Sequence, residues 1–104
     1  MNIMKKKPKL LIVDDDERNI FALTAVMQVK GYAVLGATGG EQGLISLRTN
    51  PDVDLILMDV RMPVMDGYET TRCIRSEAAF YQLPIIALTP NALASSREKC
   101  VAAG

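Results

Sequence analysis

Histidine and tryptophan are absent from this 104-residue sequence, and cysteine occurs only twice. Without imidazole the chain can contain neither a Ser-His-Asp triad nor an H-E-x-x-H zinc site, and none of its residues can carry a phosphoryl group on histidine. Any chemistry must therefore use carboxylates, hydroxyls, lysine or a bound metal. Cys73 and Cys100 are too far apart for a zinc knuckle or a C-x-x-C redox motif, and we interpret both as structural thiols in a reducing compartment.

An excess charge and a long apolar run are also missing. The 12 basic residues balance 12 acidic ones, so the chain lacks the positive field that non-specific binding to nucleic acid needs. The apolar run near the start, Leu10 to Val13, is far shorter than a signal-peptide core or a membrane span. The sequence therefore predicts a cytoplasmic location, no direct nucleic acid binding and no membrane contact. The 49% hydrophobic share fits one domain with a modest core.

Short apolar runs alternate four times with amphipathic stretches, which is typical of repeated βα units around a parallel sheet. Strands are predicted at residues 10–13, 32–35, 55–58 and 85–88, the second of them at an edge, and helices at residues 17–30, 39–48, 67–76 and 92–103. Gly31 is expected to end the first helix. Capping boxes are predicted at the next two helix starts, from Thr38 with Glu41 and from Asp66 with Glu69, and Asn91 is the predicted cap of the last helix.

Polar residues follow three of the predicted strands: Asp14 and Asp15, then Asp59, then Thr89. The carboxyl ends of parallel strands share one edge of a sheet, and right-handed crossovers allow strands one and three to be neighbours. Three carboxylates would then cluster, and such a cluster needs raised pKa values or a cation. All-oxygen ligands suit Mg²⁺, and Mg²⁺ beside an aspartate is typical of phosphoryl transfer to a carboxylate. The alternative is that these aspartates are ordinary turn and cap residues.

Three strings carry a resemblance to a known family: LIVDDDE at residues 11–17, DLILMDVRMPVMDG at 54–67 and PIIALT at 84–89. They resemble the receiver domain of bacterial two-component response regulators, over the chain from about Lys9 to Gly104. The resemblance implies one receiver domain across residues 1–104. It also implies an α/β, flavodoxin-like doubly wound parallel sheet with strand order 2-1-3-4-5.

The resemblance implies roles for individual residues. Asp59 matches the phosphoacceptor. The metal positions correspond to Asp14, Asp15, Asp59 and the backbone carbonyl of Arg61. Thr89 matches the switch hydroxyl, and the neighbours of the phosphoryl site are Arg61, Pro90 and Asn91. Asp16 matches no metal position, and we interpret it as the N-cap of the first helix.

The implied function is that of a phosphoacceptor in a two-component phosphorelay, with Mg²⁺ as cofactor. A histidine kinase or histidine phosphotransfer domain is the expected partner, and the resulting aspartyl phosphate would switch an output or partner surface. The chain is therefore not expected to be an enzyme, although it could dephosphorylate itself. Its parent could be a stand-alone regulator, carry an output domain or be a hybrid histidine kinase.

Two departures from the family pattern stand out. The family's lysine, at the end of a fifth strand, would fall beyond Gly104. The chain is therefore predicted to be a C-terminally incomplete receiver, whose exposed fourth strand invites a dimer or a swapped partner. The second departure is Pro90, at a position where receivers use a backbone N–H to bind phosphoryl oxygens. Proline has no N–H, and the loss is expected to cost about 1.5 to 3 kcal/mol of binding.

Two other interpretations remain open. A haloacid-dehalogenase-like phosphohydrolase normally has a second aspartate two positions after the nucleophile, where this chain has Arg61. A pseudo-receiver would keep the fold as a docking module without being phosphorylated, which Pro90 and the missing lysine favour. Met58, Met62 and Met65 could form a partner surface, but we interpret them as core and loop residues.

Overall fold

The computed structural model describes residues 7–62 and 65–88. Strands and helices alternate along this part of the chain, as the apolar pattern predicts. The elements are β1 (Lys9–Val13), α1 (Glu17–Val29), β2 (Ala33–Ala37), α2 (Gly40–Thr49), β3 (Leu55–Asp59), α3 (Gly67–Arg75), a 3-10 turn (Ala78–Phe80) and β4 (Ile85–Leu88). The predicted last helix and the calls on Thr89, Pro90, Asn91 and Cys100 lie outside the described residues.

The four strands form one parallel sheet in the order β2-β1-β3-β4. This confirms the α/β class, the order of the first four strands and the edge position of the second. β4 is the other edge of the sheet formed by the described residues, and its Ile86 is 51% exposed. The dimer through this strand stays a prediction. No helix in the described ranges is long and apolar enough to cross a membrane.

The two central strands are apolar from Leu10 to Val13 and from Leu55 to Met58, as expected for strands that helices cover on both faces. One face packs Leu11, Val13, Ile56 and Met58 against α2 and α3, and the other packs Leu10, Ile12 and Leu57 against α1. All four residues from Leu10 to Val13 are fully buried. Burying each such side chain stabilises the fold by about 1.5 to 3 kcal/mol. β1 is therefore held firmly in the sheet, and so are the residues that follow its carboxyl end.

The sulfur-containing side chains of the described residues belong to this core. Met58 and Met62 are buried, and Met65 and Cys73 are half-buried against the same cluster. The interpretation of the methionines as core and loop residues is confirmed. Cys73 is a free thiol, as predicted for a structural cysteine.

Three helix ends follow the predicted signals. Gly31 has a positive φ of 97°, the left-handed conformation that commonly ends a helix. Asp16 caps α1 by accepting the backbone N–H of Arg18 at 2.9 Å, and Asp66 caps α3 by accepting that of Glu69 at 2.8 Å. Both aspartates thereby satisfy backbone donors that the helix itself leaves unpaired.

The boundary between β2 and α2 differs from the prediction. β2 runs on through Gly36, which pairs with Ile12 and has the side chain of Ile20 against it, so the glycine does not end the strand. The predicted capping box at Thr38 is wrong, because Gly39 is the N-cap of α2 and makes no side-chain cap. A Cβ on the next residue, Gly40, would collide with the hydroxyl of Thr70. A glycine at this first position of α2 therefore allows α2 to pack closely on α3.

Candidate metal centre

Three carboxylates meet at the carboxyl edge of the sheet. Asp14 and Asp15 follow β1 directly, and Asp59 is the last residue of the adjacent strand β3. One oxygen from each carboxylate lies within 4.8 Å of the others. The predicted clustering of these three residues is therefore confirmed. It follows from the pairing of β1 with β3, in which Val13 lies opposite Met58.

The three carboxylates differ in exposure and in how they are held. Asp14 is 4% exposed, Asp59 is half-buried and Asp15 is exposed. The backbone N–H of Asp14 donates to the carbonyl of Ala37 at 3.0 Å, which fixes its position beside β2. The Oδ1 atom of Asp59 accepts the backbone N–H of Arg61 at 2.9 Å. The strand ends and the loop after β3 therefore hold the cluster in place.

The negative charges of the three carboxylates repel one another. Partial burial raises the pKa of the Asp59 carboxyl above its ordinary value, and the negative charge and hydrogen bonding of Asp14 raise it further, against the opposing hydrogen bond from Arg61. Asp16 behaves differently, since hydrogen bonds from the side chain and backbone of Arg18 lower its pKa. A cation in the cluster would offset the repulsion between the carboxylates, which adds to the effect of burial on the pKa of Asp59.

The donor set fits a hard divalent cation. Mg²⁺ binds through one or two carboxylates, keeps several waters and accepts phosphate oxygens. A cluster with one buried, one half-buried and one exposed carboxylate offers such ligands and leaves a side open to solvent. A groove beside it is lined by Asp14, Asn19, Ala22, Leu23, Asp59, Arg61 and Leu88, and it gives access to the Asp59 carboxylate.

Two residues of this site are not among those that the sequence singles out. Gly67 lies so close to β3 that a Cβ there would collide with the carbonyl oxygen of Asp59, and its N–H donates to the carbonyl of Val60 at 3.4 Å. Its signals in the sequence are the Asp-Gly pair at a predicted helix start and its place at the end of the string 54–67. Asn19 donates its side-chain amide to Asp14 at 3.4 Å. It stands in the first turn of a helix that starts at the same edge of the sheet.

The other predicted site residues are less defined. The side chain of Arg61 is exposed and lines the groove beside Asp59, while its carbonyl as a metal ligand stays a prediction. Thr89, Pro90 and Asn91 lie outside the described residues, and their roles stay predictions too.

Comparison with known proteins places this arrangement in a family. The sequence model of the response regulator receiver domain family matches residues 10–104 of this chain. The chain belongs to the response regulator receiver domain family. As a receiver domain it is 35% identical to part of the sensor histidine kinase GacS of Pseudomonas protegens, over 98% of this chain and 11% of that protein. It is 40% identical to part of the sensor protein EvgS of Escherichia coli K12, over 97% of this chain and 8% of that protein.

Solved structures agree with this receiver fold. The chemotaxis protein CheY4 of Vibrio cholerae superposes with a TM-score of 0.90 at 30% identity, covering 94% of this chain and 81% of that one. The receiver domain of a Pseudomonas aeruginosa sensor histidine kinase gives a TM-score of 0.84 at 40% identity, covering 96% of this chain and 80% of that one. That receiver domain holds a magnesium ion in its active-site cleft. The resemblance seen in the three sequence strings is therefore confirmed.

Proposed function

We propose that this receiver domain accepts a phosphoryl group on the carboxylate of Asp59, from a phosphohistidine on a partner protein. The observation that carries the proposal is the meeting of Asp14, Asp15 and Asp59 within 4.8 Å beside an open groove. The match of residues 10–104 to the receiver family supports it. Because the chain has no histidine, the donor imidazole must come from another domain or protein.

Mg²⁺ is the proposed cofactor, held by the three carboxylates and, as the resemblance implies, by the backbone carbonyl of Arg61. When bound, it would neutralise negative charge on the phosphoryl oxygens. In this proposal Asp14 and Asp15, which follow β1, hold the ion, and Asp59 at the end of β3 accepts the phosphoryl group.

Asp59 is the proposed nucleophile. Its Oδ1 atom accepts the N–H of Arg61 at 2.9 Å, which restricts rotation of the carboxylate before the donor arrives. In the transfer, a carboxylate oxygen forms a bond to phosphorus as the bond from phosphorus to the donor nitrogen breaks, and that electron pair returns to the imidazole. One acceptor is consumed for each phosphoryl group, so the role is stoichiometric unless the acyl phosphate hydrolyses.

A histidine kinase or a histidine phosphotransfer domain is the proposed donor. Relatives such as GacS and EvgS are sensor kinases many times longer than this chain, which makes a receiver within a hybrid kinase one proposed context. After transfer, the hydroxyl of Thr89 is the proposed sensor of the phosphoryl group, and an output or partner surface would respond to it.

A docking module that is not phosphorylated is the second candidate function. Pro90 favours it, because proline at that position removes a backbone donor for phosphoryl oxygens. The carboxylate cluster favours phosphorylation, since a docking module has no need to place three like charges together at an energetic cost.

Intact-mass measurement of a complete receiver domain, with the fifth strand and its lysine included, after incubation with Mg²⁺ and acetyl phosphate separates the two. We expect one added phosphoryl mass, absent without Mg²⁺ and absent in Asp59→Asn. Asp66→Asn is the matched control, because Asn caps a helix as well as Asp does and the residue lies outside the cluster. An unmodified wild-type chain would contradict the proposal and favour the docking module.

A further inference from the structure

Asn19 makes a side-chain contact with the most deeply buried carboxylate of the cluster. Its Nδ2 atom donates to the Oδ2 atom of Asp14 at 3.4 Å. The Oδ1 atom of Asp14 accepts the backbone N–H of Asp16 at 2.9 Å. Each oxygen of the Asp14 carboxylate thus has its own donor, one from the loop after β1 and one from the first turn of α1.

The two donors together restrict the carboxylate more than either does alone. With only the bond to Asp16, the group could still pivot about its Cβ–Cγ bond, and the second contact opposes that movement. Asn19 supplies this contact without a charge, whereas a lysine or arginine in its place would compete with a metal ion for Asp14. Asn19 also lines the groove beside Asp59.

The geometry points to Asn19 as a positioning residue for the metal centre: we propose that its amide holds the Asp14 carboxylate in an orientation that favours Mg²⁺ over Ca²⁺. The inference rests on the proposed function of the cluster. Mg²⁺ requires nearly ideal octahedral geometry with short bonds, while Ca²⁺ accepts a variable arrangement of oxygens. Loss of one orienting contact should therefore weaken Mg²⁺ binding more than Ca²⁺ binding.

Calorimetric titration of the chain with each ion tests this inference. For Asn19→Ala we expect Mg²⁺ affinity to fall about three- to tenfold, at or below the range seen when residues that orient metal ligands are replaced, and Ca²⁺ affinity to change less. Asn19→Gln, which keeps an amide donor, should recover part of the loss. Gln28→Ala removes an exposed amide near the far end of α1 and should bind both ions as the wild type does.

The melting temperature is measured on the same variants. Alanine is the better helix former, which offsets the loss of the bond to Asp14, so the melting temperature of Asn19→Ala should stay close to that of the wild type. Equal weakening for Mg²⁺ and Ca²⁺, or unchanged affinity for both, would overturn the positioning role and leave the proposed function standing. A wild-type chain that binds no Mg²⁺ would instead overturn the proposed function and the inference with it.

Discussion

Replacing Asp59 with asparagine should make the folded chain more stable when no divalent cation is present. The change removes one of three carboxylates whose oxygens lie within 4.8 Å of one another. At that separation two unit charges repel by about 3.5 kcal/mol at an effective dielectric of 20 and by about 0.9 kcal/mol in water. Since Asp59 is half-buried and Asp15 is exposed, solvent screening reduces the effect, and we expect a gain of about 1 to 2 kcal/mol in unfolding free energy at neutral pH.

The pH dependence of that gain has a defined sign. The pKa of Asp59 in the folded chain is raised above its ordinary value of 3.8, so the folded state holds this proton more tightly than the unfolded state does. The stabilisation of the wild-type fold by this bound proton is fully present below the ordinary pKa of Asp59. It is lost as the pH rises through the raised pKa. Asp59→Asn has no such titration. Its advantage over the wild type should therefore be small in acid and grow toward neutral pH.

Urea denaturation followed by circular dichroism measures the difference in unfolding free energy between wild type and Asp59→Asn. It is carried out in EDTA at a series of pH values from acid to neutral. Glu69→Gln is the control, because it removes an exposed carboxylate outside the cluster and should not stabilise the chain. Added Mg²⁺ should stabilise the wild type more than Asp59→Asn and so narrow the gap. Two results would refute the electrostatic reasoning. One is an Asp59→Asn variant that is no more stable than the wild type in EDTA, and the other is a difference in unfolding free energy that does not change with pH.

Substitutions at three further positions test other parts of the account. Gly67→Ala should lower the unfolding free energy by about 1 to 3 kcal/mol, because the new Cβ would push α3 away from the carbonyl of Asp59; an unchanged urea midpoint would contradict this packing. Asp16→Ala should lower the melting temperature and Asp16→Asn should lower it much less, since only alanine loses the N-cap; equal melting temperatures of the two would count against the cap. Pro90→Ala should strengthen binding of beryllofluoride by restoring a backbone donor, and an unchanged dissociation constant would argue against that donor's role.

The sheet and the carboxylate cluster could be predicted from the sequence because both follow from the apolar pattern. Runs such as Leu10 to Val13 need cover on both faces, and in a parallel sheet the residues that follow such runs share one edge. Asp14, Asp15 and Asp59 are therefore brought together by topology, without any detail of side-chain packing.

The start of α2 and the role of Asn19 could not be predicted, because the first involves packing between α2 and α3 and the second depends on how the short loop after β1 orients α1. Thr38 and Glu41 have the spacing of a capping box, but α2 starts at Gly40, which packs closely on Thr70, and its N-cap Gly39 makes no side-chain cap. Asn19 is an ordinary polar residue in its own helix, and only the folded chain brings its amide to Asp14.

The most direct test of the central claim is to locate the phosphoryl group by chemical trapping. Borohydride reduces an aspartyl phosphate to homoserine, so the chain is incubated with Mg²⁺ and acetyl phosphate, reduced, digested and analysed by peptide mass spectrometry. The account predicts homoserine at position 59 and unmodified aspartate at positions 14, 15 and 66. Homoserine at another position, or unmodified Asp59 in a chain that binds Mg²⁺, would contradict it.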